Sequence, residues 1–193
     1  MGTNRHRLLG LVLAIALAGC GSPGRPVAVP TFPASALPDL RTRARSLTPQ
    51  ALGEETPGLA DELERDGFAA GTERTFSART GELRYVEARV LRFDSPNGAA
   101  AYVAWIRGHP DLLLGTASHE KPLTLEGSPS VFRHGPSGCC SKDTTLHLAV
   151  WQRGDTALSL LVGGPDDGRE ILSRLAEELD ALATGSREAS PSP

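Results

Sequence analysis

The stretch TTLHLAVWQRGDTALSLLVGGPDDGREILSRLAEELDALA, residues 144–183, decides the fold. Thr144–Gln152 alternates, with Leu146, Leu148 and Val150 on one face, which is the period-two signature of a strand. Arg153-Gly154-Asp155 carries turn chemistry, and Ala157–Gly163 reads as the hairpin partner. From Asp167 the period changes. Ile171, Leu172, Leu175, Leu179 and Leu182 recur at helical spacing as far as Ala183. Asp166 and Asp167 suit the positive end of a helix dipole and read as capping residues. The stretch therefore predicts a hairpin followed by a helix.

The same order occurs upstream. Thr72–Ala78 reads as a strand, Arg79–Gly81 as a turn and Glu82–Phe93 as a longer strand. Val86, Ala88 and Val90 share one face of that strand, Leu91 and Phe93 the other, so it holds a bulge or is buried on both faces. Ser95-Pro96 starts a helix with Ala99, Tyr102, Val103 and Ile106 along one side, and Gly108 and Pro110 stop it. Further readings are a short helix over 39–47, a helix from Thr56-Pro57 to Gly67 with Leu59 and Leu63 one turn apart, and strands near 121–126 and 130–134. A hairpin cannot bury its face alone. Two hairpin–helix units pairing their strands give an α+β fold, an antiparallel sheet with helices packed on it over one core. This element order resembles that of small secreted bacterial domains of the PsbP-like α/β/α type and of extracytoplasmic sensor domains of high-GC bacteria. The composition, with 18 Arg against Lys121 and Lys142 alone, also looks like that of a high-GC genome. The resemblance carries no functional residue with it.

The N-terminus speaks to location. Arg5 and Arg7 precede an apolar run from Leu8 to Gly19, too short for a bilayer core, which needs about 20 residues. A basic start, a short apolar stretch and small residues at its end make a secretory signal. Leu17-Ala18-Gly19-Cys20 resembles the lipobox of bacterial lipoproteins. The resemblance implies a diacylglyceryl group on Cys20 and cleavage before it, so residues 1–19 are the signal peptide. Two acyl chains make a stable anchor where one is marginal. Loss of Arg5 and Arg7 with the signal takes the formal net charge from −3 to −5. That balance argues against a nucleic-acid partner and leaves membrane attachment to the lipid. Residues 20–38 hold the lipidated Cys and a Pro-rich tether, 39–183 form one α+β domain, and 184–193 form a polar, disordered tail.

Cys139 and Cys140 stand side by side in Pro136-Ser137-Gly138-Cys139-Cys140. In an oxidising compartment three states are open to them: a vicinal disulfide, a bond to another molecule, or two free thiols. The reading favoured is a stiffened surface turn. A metal set of His134, Cys139, Cys140 and His147 has suitable donors but matches no zinc spacing, so no metal and no cofactor is expected, and His147 reads as one polar position on an alternating strand.

Three motif matches lack their context. Ser118-His119-Glu120-Lys121 fits S-x-x-K without its companion motifs. Arg153-Gly154-Asp155 sits where a hairpin turn belongs. Gly163–Gly168 precedes a helix but lacks the P-loop lysine and offers acids where phosphate would lie.

The sequence thus predicts a membrane-anchored, extracytoplasmic lipoprotein without catalytic residues, a binding or accessory module for a protein or small molecule. Its ligand site is placed beside the irregular segment 109–142, which includes Leu112, Leu113 and Leu114. Two rivals stand. One is a carrier of lipid or another apolar ligand, which requires a cavity between sheet and helices. The other is a hydrolase or thiol enzyme using Ser118, Cys139 or Cys140 with His119 or His134 as base.

Overall fold

The two hairpins meet side by side. A computed structural model describes residues 28–109, 114, 119–125, 128–136, 144–164 and 169–185, with the strands at 119–125 and 128–136 described as backbone. In chain order the elements are β1 (Arg41–Leu47), α1 (Pro49–Glu55), α2 (Leu59–Arg65), β2 (Phe68–Ser77), β3 (Tyr85–Phe93), α3 (Pro96–Gly108), β4 (His119–Leu125), β5 (Ser128–Pro136), β6 (Thr145–Arg153), β7 (Thr156–Gly164) and α4 (Arg169–Ala183). They form one seven-stranded sheet in the order β1-β2-β3-β7-β6-β5-β4. Every neighbouring pair is antiparallel. The hairpins β2–β3 and β6–β7 join through β3 and β7, where Val86 faces Val162 and Val90 faces Leu158. The expected α+β architecture of two paired hairpin–helix units is the one observed.

The two helices do not share one core. α4 lies on one face of the sheet, where Leu172, Leu175 and Leu179 meet Val86, Val90, Trp151 and Leu160. α1, α2 and α3 lie on the other, where Leu52, Leu63, Tyr102 and Ile106 meet Leu91, Phe93, Leu148 and Val150. The cause is in β3. Its two apolar sets are both buried, so each face needs its own cover. The irregularity in register falls on the partner strand, between Phe68 and Ala70 of β2. β6 is two-sided as well: His147, Ala149 and Trp151 are buried opposite Leu146, Leu148 and Val150.

Several local readings change. Residues 41–47 are a strand and not a helix. They hydrogen-bond along β2 from Arg41–Ser77 to Leu47–Gly71, and Leu47 is their buried residue. Thr48 caps α1 through Ala51 N–H, with Pro49 in the first turn. Thr56 does not start a helix; its N–H closes α1 on the Leu52 carbonyl, and α2 begins after Gly58. The packed domain begins before residue 39. Phe32 is 1% exposed and sits edge-on to Phe76. The Pro30 carbonyl accepts from Thr72 Oγ1 at 2.7 Å, and the Phe32 carbonyl accepts from Arg74. The buried Phe32 ring, with Leu37 and the half-buried Val29 and Leu40 packed on the same core, holds this part of the Pro-rich stretch on the sheet.

Two glycines show what the fold demands locally. Gly98, in the first turn of α3, lies so close to the Asp66 carbonyl oxygen that a Cβ there would overlap it. Gly154 takes φ +55 in the two-residue β6–β7 turn, matching the twist of the strands it joins. No helix among the described residues is long and apolar enough to cross a membrane.

Candidate functional site

Cys20, Cys139, Cys140 and Ser118 lie outside the described residues, as do 165–168 of the Gly163–Gly168 stretch. Arg153-Gly154-Asp155 is the β6–β7 turn, as read from the sequence. Segment 109–142 is not structureless: β4 and β5 occupy much of it, at the far edge of the sheet. Leu114 is buried in the α3 core. His134 in β5 stands directly opposite His147 in β6, and on its other side opposite His119 in β4. His147 is 3% exposed, on the α4 face beside Ala149 and Trp151, and not on a polar face. Among residues whose side chains are described, no group of three or more His, Cys, Asp or Glu is placed to hold a metal.

The described part of the molecule contains a buried charged cluster that the sequence reading missed. Arg45 in β1, Glu73 in β2 and Arg89 in β3 are cross-strand partners in one row. Odd-numbered positions of β3 face the α1–α3 layer, so the row lies beneath α1. Arg45 Nε donates to Glu73 Oε1 at 2.7 Å and Arg89 Nε to Glu73 Oε2 at 2.8 Å. Arg89 also reaches Glu55 Oε2 at 2.7 Å and Glu87 Oε1 at 2.8 Å, and Arg45 pairs with Glu55. The Tyr85 hydroxyl donates to Glu87 Oε2 at 2.6 Å. Glu73 is 3% and Arg89 6% exposed.

The electrostatics follow from two guanidiniums among three carboxylates. Burial would raise Glu73, but the hydrogen bond from Arg45 and the charges of Arg89 and Arg45 outweigh it and hold Glu73 below the ordinary carboxylate range. Glu87 goes the other way. Burial raises it, Arg89 only partly offsets this, and the charge of Glu73 adds to the rise. Burial, then the neighbouring Glu87, push the Tyr85 hydroxyl up strongly. Each buried charge faces an opposite one, and Glu55 binds both arginines. The cluster therefore clamps α1 to the sheet. A signal for it existed: Arg89 is a charge in the middle of a strand apolar on both faces.

A second clamp holds α4. Asp180 accepts from Trp151 Nε1 at 2.8 Å and from Arg153 Nε and Nη2, both at 2.6 Å, in bidentate geometry.

Open space lies at the β1 side. A groove of about 530 Å³ runs between Leu47, Pro49, Phe68, Ala70 and Val29. A more polar one of about 450 Å³ is bordered by Asp39, Arg41, Ser77 and Arg79. Between the sheet and the end of α4, beside Val90 and Ala183, the space is about 50 Å³. That holds a water or two and not an acyl chain.

No family model matches the chain, and no curated protein matches it. Among solved structures it has a weak structural resemblance to the extracellular domain of PknH from Mycobacterium tuberculosis. The TM-score is 0.48 at 10% sequence identity, over 78% of this chain and 89% of that one.

Proposed function

We propose that the chain is a lipoprotein of the cell envelope, cut before Cys20, diacylated there, and held on the extracytoplasmic face of the membrane as a non-catalytic binding or accessory module. The observation that carries this reading is Leu17-Ala18-Gly19-Cys20 at the end of a short apolar run with a basic start. With Phe32 packed on the domain, residues 21–28 remain as the spacer, about 25 Å if extended at ~3.1 Å per residue. A non-catalytic role is supported by the way the buried charges are used: Arg45, Arg89, Glu55, Glu73 and Glu87 are engaged with one another. Fractionation of cells carrying the wild-type chain and Cys20→Ala tests the anchor. The wild type is expected in the detergent-soluble membrane fraction and Cys20→Ala in the soluble one. Equal distribution of the two would reject lipid anchoring through Cys20.

A further inference from the structure

We propose that the outer edge of β1 takes an added antiparallel strand from a protein partner, an extended segment with an apolar residue opposite Leu47 and acidic residues opposite Arg43 and Arg41. β1 is one end of the sheet, and among the described residues no strand lies on its outer side. Alternate N–H and C=O groups along it therefore have no ladder partner. Its pairing with β2 runs without a register shift from Arg41–Ser77 to Leu47–Gly71, so no bulge turns the edge away. It holds no proline, whereas β4 at the other end of the sheet carries Pro122, which has no N–H to donate. Arg41, Thr42, Arg43, Ala44 and Ser46 are exposed.

Charge selects the occupant. β1 has Arg41, Arg43 and Arg45 and no acid, in a chain whose formal net charge is −3. The three alternate, so they share one face at a spacing of about 6.8 Å. Arg45 is held by Glu55 and Glu73; among the described residues no carboxylate bridges to Arg41 or Arg43. Asp39 borders the polar groove together with Arg41 and Arg79, which leaves that end basic. At the other end the groove of about 530 Å³ beside Leu47 and Phe68 gives room for an apolar side chain. A second copy paired about a twofold axis normal to the sheet sets arginine against arginine, which opposes self-association. The same side chains favour an acidic strand, so they reject one partner while selecting another. Main-chain bonds supply the affinity of such an addition and side chains its selectivity. The inference deepens the binding-module reading and rests on it, but not on the lipid. Its failure would show in a peptide assay, that of the anchor in fractionation.

The test is fluorescence anisotropy of a labelled heptapeptide, Val-Thr-Val-Thr-Glu-Thr-Glu, with the full chain in detergent. Saturable binding that weakens as salt is added is expected. Lysine in place of both glutamates should weaken it tenfold or more, and Arg41→Glu with Arg43→Glu in the chain should invert that preference. Two further peptides are N-methylated on their odd or their even residues. Only one set of N–H groups faces β1, so one peptide should lose binding and the other keep it. Neither needs a variant of the chain to fold. No saturable binding, equal binding of the lysine peptide, or indifference to both methylation patterns would overturn the proposal. So would a dimer of the chain whose amides along 41–47 are all protected from exchange without peptide, since that puts a second copy on the edge.

Discussion

Replacing Glu73 by glutamine removes the carboxylate that two buried or half-buried guanidiniums share. Glu73 accepts three hydrogen bonds from them, at 2.7, 3.0 and 2.8 Å. Glutamine keeps one acceptor and brings an N–H₂ toward the arginines. Arg89 and Arg45 retain Glu55, so neither is stranded entirely. Breaking one partner of a buried pair costs about 3–5 kcal/mol, and the surviving Glu55 contacts place Glu73→Gln near 3. In urea at pH 7, with a slope of ~1–3 kcal/mol/M, the midpoint should fall by about 1–3 M. The pH dependence has a definite sign. Glu73 is depressed in the folded state, so its contribution is present above the unfolded value of about 4.3 and is lost as pH falls through the lower, folded value. Glu87 is raised, so it favours folding most below that value, and the wild type loses ground to Glu87→Gln as pH rises toward the folded pKa. Glu87→Gln should therefore match or exceed wild-type stability at pH 7 while Glu73→Gln falls well below it. A loss under about 1 kcal/mol for Glu73→Gln, or equal losses for both, would refute the reasoning about this cluster.

Other perturbations probe other parts. Phe32→Ala should cost about 3–5 kcal/mol by thermal or urea unfolding, since the ring is buried against Phe76; a near-neutral result would detach the Pro-rich stretch from the domain. Gly98→Ala should cost about 1–3 kcal/mol, because its Cβ would meet the Asp66 carbonyl. Asp180→Ala should loosen α4 by about 2 kcal/mol and raise amide exchange along 169–183 selectively, because it removes the Trp151 Nε1 acceptor and the bidentate partner on α4 of Arg153.

The sequence made the central strands readable because they obey a simple rule. Leu146, Leu148 and Val150 alternate, and the change of period at Asp167 marks α4. The readings failed where burial is partial or distant. Arg41–Leu47 is an edge strand, polar on both sides, so it shows no alternation; its arginines serve as edge charges and as the partners of Glu73 and Glu55. Phe32 was hidden among prolines. The cluster could not be assembled from the sequence because Arg45, Glu55 and Glu73 are scattered along the chain and each alone reads as a surface charge; only Arg89, a charge inside an apolar strand, marks its place. The histidine row has the same origin: only register puts His119, His134 and His147 abreast. Two-sided burial of β6 likewise turned His147 from a polar position into a core one.

The most direct test of the functional account is the intact mass of the mature chain extracted from its own membrane, with its N-terminal peptide sequenced. The account requires a chain beginning at Cys20 and carrying a diacylglyceryl group with two fatty acyl chains. A chain that retains residues 1–19, or that begins elsewhere without a lipid on Cys20, would contradict it.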